Sequence, residues 1–339
     1  MQTLEQTLAR GPLAAEAAAL FAWGSQWPLA RVAPVAGQWQ PFLDLLGDMA
    51  GAPGLRAGNP PQAPDGRETD PQKAVVLFSG GKDGLAAAIS LRARGLRPAL
   101  LHVRGINGGA YTKAEAEAAE AAARIAGFPL RVLPIKLVGK SDHTENPTKN
   151  IALAALGAAL ALQWGAGVVA LGVLTEDRHV ENIACGISDH VDLAAAGCAG
   201  IEDMAPGLSC LPGVMPSEFA GLALIHKECP DALRAVVSCM TGQRFRESLR
   251  RRNMEKFGVD LPPGRCGSCY KCATEQIALA ALDGRVLGDA WADHLFAKLR
   301  AGYKLVRQRK IATDEDAVAT FFDDYVPWRD ALPARYASL

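Results

Sequence analysis

Net charge, long apolar runs and an N-terminal leader pattern are all absent from this sequence. The 339 residues carry 36 basic and 36 acidic side chains, so the overall charge argues against a nucleic-acid partner. The longest apolar stretch, Ile151–Val173, is rich in alanine and glycine, which favours a buried helix followed by a strand over a membrane span. No basic segment followed by an apolar core opens the chain. We therefore expect a cytoplasmic protein without membrane contact.

Two common nucleotide-binding patterns, the Walker A loop and Gly-x-Gly-x-x-Gly, are also missing, but another glycine-rich loop lies at Ser79–Gly84. The apolar, β-branched run Val75–Phe78 before it is typical of a buried strand, and the alanine-rich stretch after it is typical of a helix. Glycines let the backbone approach a ligand, and a helix N-terminus attracts anions. The loop is predicted to bind phosphate, with a hydroxyl from Ser79 and a cation from Lys82. A strand-to-helix turn that binds nothing is the alternative.

Short apolar strands alternate with helical stretches after this loop. Strands are predicted at Pro98–Val103, Leu130–Ile135 and Gly167–Val173, and helices at Lys113–Gly127 and Asn150–Trp164. Strands separated by helices imply right-handed crossovers, so the expected fold class is α/β, a doubly wound parallel sheet with helices on both faces. Ligands of such sheets lie at the carboxyl ends of the strands. The segments after the strands should therefore share one crevice with the loop.

Composition divides the chain into four regions. Residues 1–50 show a helical pattern, which predicts an N-terminal extension that is either a small lobe or a partner-binding segment. Residues 51–72 are dense in proline, glycine and charge, which indicates a linker. Residues 73–215 are the expected nucleotide-binding domain, with a loop-like segment over 178–216. Residues 216–339 are predicted to be helical around the cysteines, with amphipathic helices from Glu275 to Leu339.

Cysteine spacing indicates a metal site. Without a leader pattern, eight cysteines favour metal binding or free thiols over disulfides. Cys266, Cys269 and Cys272 recur at intervals of three, and Cys239 upstream completes a set of four thiolates suited to zinc. An iron–sulfur cluster and reactive or merely buried thiols are the alternatives. The cysteines at 185, 198, 210 and 229 are expected to be small apolar residues.

The loop Ser79-Gly80-Gly81-Lys82-Asp83-Gly84 resembles the PP-loop, Ser-Gly-Gly-x-Asp-Ser, of the ATP pyrophosphatases, whose nucleotide-binding domain is of the adenine nucleotide alpha hydrolase-like (HUP) type. Together with the cysteines, it resembles the 7-cyano-7-deazaguanine synthase family of the queuosine pathway. Asn146–Asn150 looks like that family's Pro-x-Arg-Asn segment, with Lys149 in place of arginine. Leu171–Val173, with Glu176 and Asp177, is similar to its Gly-Val…Asp stretch. Ser238-Cys239 matches the family's first zinc ligand, and the spaced motifs cover Lys73–Gln276.

Several departures suggest a divergent paralogue of that family. Gly84 replaces the last serine of the loop, and the interval from Cys239 to Cys266 is longer than usual. The family's Gly-Tyr-Pro-Asp-Cys-Arg segment is not visible, and Ser188-Asp189-His190 is taken as its counterpart. Residues 1–70 have no counterpart and are a potential protein-binding segment.

The resemblance implies an ATP-dependent carbon–nitrogen ligase with ATP, Mg²⁺ and Zn²⁺ as cofactors. A carboxylate, 7-carboxy-7-deazaguanine, is adenylated with release of pyrophosphate and then amidated by ammonia toward the nitrile. The implied catalytic residues are Lys82, Asp83, Lys149 and Asp177. The implied ATP-binding residues are Ser79, Gly80, Gly81, Lys82, Asp83, Gly84, Val103, Asn150 and Gly172. The implied substrate contacts are Glu176, Ser188 and Asp189.

Three other functions remain open at this point. The same adenylate would modify a protein or peptide if the acceptor were its amine, as expected of family-like paralogues in anti-phage defence. A PP-loop enzyme that modifies tRNA would also use ATP and zinc-bound cysteines. A nucleotide-binding scaffold without catalysis is the third alternative, and oligomer formation is compatible with all of them.

Overall fold

The computed structural model describes residues 11–24, 31–106, 110–135, 146–174, 190–237, 239, 243–308 and 333. Its strands are β1 (Val32–Ala33), β2 (Arg56–Ala57), β3 (Asp70–Leu77), β4 (Arg97–Arg104), β5 (Leu130–Pro134), β6 (Ala166–Leu174) and β7 (Ser209–Met215). Its helices are α1 (Pro12–Gly24), α2 (Gln40–Met49), α3 (Lys82–Ala93), α4 (Ala110–Ala126), α5 (Lys149–Gln163), α6 (Val191–Met204), α7 (Glu218–Glu228), α8 (Pro230–Leu233), α9 (Gln243–Phe257), α10 (Tyr270–Leu282) and α11 (Asp289–Gln308).

A parallel sheet formed by five of the described strands is the centre of the fold. Its order is β5-β4-β3-β6-β7, and each neighbouring pair is parallel. The chain moves outward from β3 through β4 to β5, then returns to add β6 on the other side of β3. Crevices at such a reversal of strand order are where ligands bind in open α/β sheets. The predicted phosphate loop directly follows β3, which places it at this reversal.

Helices flank the sheet because its strands alternate their side chains between two apolar clusters. Val75 of β3 belongs to a cluster that contains residues of α1, α2, α5 and α6. Ala74 and Val76 on the opposite face pack with residues of α3, α7, α10 and α11. Strands buried on both faces need nearly continuous apolar sequence, which explains the runs in β3 and β6. The predicted α/β class with a parallel sheet flanked by helices is confirmed.

The described N-terminal segments, 11–24 and 31–49, pack into the same core as the sheet. Leu20 of α1 and Phe42 of α2 are buried in the cluster that also contains Val75. Trp39, which precedes α2, is fully buried. Part of the segment expected to be a linker is regular: β2 pairs with β1, and β3 begins at Asp70. The strand is longer than its apolar run because Asp70 pairs with Arg97 at 2.6 Å and its N–H donates to the Gly165 carbonyl.

The expectation of a loop over 178–216 is wrong for the described part of that segment. Helix α6 and strand β7 occupy most of it. Its glycines permit close helix packing: a Cβ on Gly197 would lie 2.1 Å from Ile151, and one on Gly200 would lie 3.0 Å from the Gln38 carbonyl oxygen. In a sequence, glycines that allow two elements to pack closely cannot be told from glycines of a loop, and this explains the wrong prediction.

Helices dominate from Pro216 onward, as predicted. Helices α7 to α11 occupy most of the described residues after β7. The predicted tail helices are confirmed through α11, and the stretch beyond Gln308 falls outside the described residues apart from 333. Among the helices of the described ranges, none has the length and apolar character required to cross a membrane.

Candidate active site and metal centre

A cavity of about 320 Å³ lies at the carboxyl edge of the sheet. Strands β3, β4 and β6 contribute residues to its wall, and so do the first residues of four helices, Lys82 of α3, Lys149 of α5, Glu218 of α7 and Tyr270 of α10. Its volume is within the range of small-molecule sites. The residues predicted for ATP binding or catalysis that line it are Ser79, Gly81, Lys82, Asp83, Gly84, Val103, Lys149, Asn150 and Gly172.

Gly80 gives the loop its shape without lining the cavity. Its φ of +88° lies in the left-handed region, which disfavours any side chain. A Cβ would also lie 2.8 Å from the Glu115 carbonyl oxygen and 3.0 Å from the Ala119 nitrogen, both in α4. The Gly80 carbonyl accepts a hydrogen bond of 2.8 Å from the Val237 N–H. The loop is thus fixed from two sides, and its turn requires glycine.

Gly84 and Gly172 pack against each other where α3 starts beside β6. A Cβ on Gly172 would lie 2.9 Å from the Gly84 nitrogen, and a Cβ on Gly84 would lie 2.8 Å from the Leu77 carbonyl oxygen. A serine at position 84 would therefore require the backbone to move. This contact gives a steric reason for the departure from the PP-loop pattern.

Lys82 is a buried cation held between two carboxylates. Its side chain is 3% exposed, and its Nζ lies 2.7 Å from Asp83 Oδ1 and 3.2 Å from Glu218 Oε1. Burial alone would lower the pKa of Lys82, and Lys271 acts in the same direction, but Asp83 and Glu218 raise that pKa above its usual value. Lys82 therefore carries its positive charge in the cavity throughout the physiological pH range.

Glu218 is a site residue that sequence reasoning missed. It begins α7 directly after β7, and the Ser217 hydroxyl oxygen caps this helix by accepting the Ala220 N–H. Its side chain is 7% exposed and lines the cavity. The serine cap was visible in the sequence, but β7 was not predicted, so nothing placed residue 218 at the carboxyl edge of the sheet.

Lys149 and Asn150 reach the cavity because the segment before them docks on α1. Thr148 Oγ1 donates to the Leu20 carbonyl at 2.7 Å, and Asn146 Nδ2 donates to the Phe21 carbonyl at 3.1 Å. Both carbonyls lie near the C-terminal end of α1, whose partial negative charge favours hydrogen-bond donors. The N-terminal helix therefore helps to position the predicted catalytic lysine.

His102 on β4 also lines the cavity and is almost fully buried. Its Nδ1 lies 3.0 Å from the Phe78 carbonyl oxygen, so this nitrogen carries the proton. Burial holds the pKa of His102 below its usual value, despite the bond to Phe78, and the ring stays neutral. Its Nε2 is then an acceptor, and it has no hydrogen-bond partner among the described residues.

The four predicted zinc ligands come together. The sulfur atoms of Cys239, Cys266, Cys269 and Cys272 all lie within 4.8 Å of one another. Two of the distances, Cys239 to Cys269 and Cys266 to Cys272, are 3.9 Å. Tetrahedral zinc, with bonds of about 2.3 Å, holds its sulfurs about 3.8 Å apart. The cluster therefore fits a tetrahedral metal ion such as zinc.

Further contacts organise the segment over residues 266–272, which is called the metal-binding loop below. The Ser268 N–H donates to Cys266 Sγ at 3.2 Å, and Asn253 Nδ2 donates to the Cys266 carbonyl at 2.7 Å. A hydrogen bond to Cys239 is the largest cause that raises the pKa of Cys269 and of Cys272, because a thiol that donates a hydrogen bond is harder to ionise. A bound divalent cation would favour the thiolate forms instead.

The other predicted residues lie elsewhere or outside the described ranges. Glu176, Asp177, Ser188 and Asp189 fall within 175–189, outside the described part of the chain, so their roles stay predictions. Cys198 and Cys210 are buried in the apolar core, in keeping with their predicted character.

A scan against protein-family models found no match to this chain, and a search of curated proteins found no significant relative.

Proposed function

We propose that this chain is an ATP-dependent ligase that adenylates a carboxylate, releases pyrophosphate and transfers the acyl group to an amine. The observation that carries the proposal is the loop at Ser79–Gly84, which opens α3 into a cavity that also contains Lys149 and Asn150. Backbone N–H groups at a helix N-terminus and nearby lysines suit a polyphosphate. The strand order β5-β4-β3-β6-β7 supports the finer fold assignment, a doubly wound sheet of the adenine nucleotide hydrolase (HUP) type.

The reaction would proceed in two displacements. A carboxylate oxygen attacks the α-phosphorus of ATP, the bond to the bridging oxygen breaks, and pyrophosphate leaves with the electron pair. The amine nitrogen then attacks the acyl carbon, AMP leaves, and the nitrogen loses a proton to solvent. Both displacements depend on positioning and on neutralising negative charge more than on a protein nucleophile.

The residues of the cavity have distinct parts in this scheme. Lys82 and Lys149 offset the charge that develops on the leaving pyrophosphate. Asp83, or Asp177 from the predicted motif, would hold Mg²⁺, which supplies charge neutralisation at the phosphates. The adenine would lie near Val103, where β4 ends. The four cysteines would hold zinc as a structural ion.

The proposed carboxylate is 7-carboxy-7-deazaguanine, and the proposed amine is ammonia. The first product is the amide. The amide oxygen would then attack the α-phosphorus of a second ATP and release pyrophosphate. AMP would leave with that oxygen, and the nitrogen would lose its two protons to solvent to give the nitrile. This choice depends on the spaced motifs around Asn146–Asn150 and the cysteines.

Mass spectrometry of a single incubation tests the proposal. Full-length protein is mixed with ATP, Mg²⁺, 7-carboxy-7-deazaguanine and ammonia, and AMP, pyrophosphate and deazaguanine products are measured. We expect carboxylate-dependent AMP together with the amide or nitrile. Replacement of ammonia by a peptide amine distinguishes the acceptors, because that amine would give a conjugate.

A pair of variants links the activity to this cavity. Lys149→Ala removes a lysine that lines it, and AMP formation should fall at least tenfold, since one charge-assisted contact contributes about 1.5–3 kcal/mol. The control is Lys113→Ala, an exposed lysine of α4 that pairs only weakly with Glu117. Absence of AMP formation with the wild-type protein, or equal activity of both variants, would refute the proposal.

A further inference from the structure

The metal-binding loop and the candidate ATP cavity share two residues. Tyr270 and Lys271 are the only residues between Cys269 and Cys272 in the sequence, and both line the cavity. The same short segment therefore faces the four-sulfur cluster through its cysteines and the cavity through the residues between them. Neither Tyr270 nor Lys271 was singled out from the sequence.

A buried ion pair fixes both ends of this loop. Arg265 precedes Cys266, Glu275 follows Cys272, and the two side chains are 0% and 1% exposed. Arg265 Nη2 donates to Glu275 Oε1 at 2.6 Å and to the Leu233 carbonyl at 2.7 Å. The ends of the loop are thus held independently of a metal ion. The cysteines lie between these two fixed ends, and Lys271 lies among them at the start of α10.

The charges in the cavity create a need for this lysine. Two carboxylates, Asp83 and Glu218, lie beside Lys82 and offset part of the positive charge that it can offer to a phosphate. A nucleoside triphosphate brings several negative charges, and buried anions require paired cations. Lys149 and Lys271 are the other two lysines among the described residues that line the cavity. Lys271 is close enough for its charge to act on Lys82.

We propose that a metal ion bound by the four cysteines holds Lys271 as a cation for the pyrophosphate portion of the nucleotide. Metal loading would then set nucleotide affinity. Two of the ligands, Cys269 and Cys272, flank the lysine directly, so their bonds to the metal fix the backbone that carries it. The inference depends on the proposed ATP-binding function.

A titration of cobalt-loaded protein tests this coupling. Co²⁺ replaces zinc in the full-length chain, because the absorption of a cobalt–thiolate centre reports its geometry. Inorganic pyrophosphate and α,β-methylene-ATP are titrated, with affinity measured by calorimetry and the cobalt spectrum recorded in parallel. We expect a saturable spectral change whose midpoint equals the calorimetric Kd.

Substitutions at Lys271 distinguish a direct contact between its charge and pyrophosphate from the effect of the protein's overall charge. Lys271→Gln should weaken pyrophosphate binding about 10- to 100-fold, as expected for the loss of one charge-assisted contact. Lys271→Arg should restore most of the affinity. Lys256→Gln is the matched control: it removes the same charge from an exposed position outside the cavity, and should change affinity less than about threefold.

The possible outcomes distinguish failure of the proposed coupling from failure of the proposed ATP-binding function. Unchanged affinity in Lys271→Gln, or pyrophosphate binding that leaves the cobalt spectrum unaltered, would overturn the coupling while ATP binding stands. Failure of the wild-type metal-loaded protein to bind either compound would remove the proposed function itself, and this inference with it. Weakened binding only in Lys271→Gln, with a spectral change in the wild type, supports the coupling.

Discussion

Replacement of Gly80 by alanine should damage the protein far more than the same change one residue later. In the left-handed region, at a φ of +88°, an alanine costs about 1–2 kcal/mol. Its Cβ would also lie 2.8 Å from the Glu115 carbonyl oxygen, which belongs to a helix and cannot rotate away. Overpacking of this kind costs about 1–3 kcal/mol more. We expect a total loss of roughly 2–5 kcal/mol.

Gly81→Ala is the matched control because the two glycines are neighbours in the same loop. The φ of Gly81 is −87°, an ordinary value for alanine, and its Cβ would meet nothing nearer than Ser79 Oγ at 3.6 Å. Alanine is a poorer N-cap than glycine, so the expected cost is at most about 1 kcal/mol. Because Gly81 lines the cavity, its variant should bind ATP more weakly while it keeps its fold.

Thermal unfolding followed by circular dichroism, with ATP titrations on the same samples, distinguishes these cases. We expect the melting temperature of Gly80→Ala to fall by roughly 3–7 °C and that of Gly81→Ala by no more than about 2 °C. Nucleotide affinity should decrease in both. Equal losses of melting temperature would show that the loop does not depend on the left-handed turn at Gly80.

Two other glycines give predictions from the same kind of contact. Gly84→Ser restores the PP-loop pattern, yet its Cβ would lie 2.8 Å from the Leu77 carbonyl oxygen. We expect a loss of about 1–3 kcal/mol and no gain in AMP formation, and a more active, equally stable variant would contradict this. Gly24→Ala would place a Cβ 2.1 Å from Asn146 Oδ1 and from Thr148 Oγ1. It should raise the KM for ATP and lower the melting temperature, whereas Gly11→Ala, with open space around it, should do neither.

The glycine-rich loop and most of the sheet could be predicted because their signals are local. An apolar run, a glycine-rich turn and an alanine-rich helix stand side by side, and the periodicity of α5 and β6 was equally clear. The structure also brings Lys149, Asn150 and Gly172 to the loop, as the parallel-sheet rule predicts. Cysteine spacing predicted the four-sulfur cluster, which could hold a metal ion, because its close intervals are typical of metal ligands.

Contacts between distant segments explain what the sequence did not show. Glycine in α6 was taken as a loop signal, although Gly197 and Gly200 serve close packing against other elements. Recognition of β7 would have placed Glu218 at the edge of the sheet, but its Pro212 and Gly213 argue against a strand in local reasoning. Lys271 was not singled out from the sequence. Its place in the cavity depends on how α10 packs, which no local pattern records.

The absence of net charge is compatible with a polyphosphate site because the charge that matters is local. The helices α3, α5, α7 and α10 all begin at the cavity, and each N-terminus carries roughly half a positive charge in its unpaired N–H groups. The carboxylates of Glu218 and Asp83 offset part of this positive charge, and they keep Lys82 protonated. A triphosphate would therefore meet a positive field that is built into the backbone. Such a field depends on helix positions, so the contacts of α1 with Asn146 and Thr148 belong to the site as much as its lysines do.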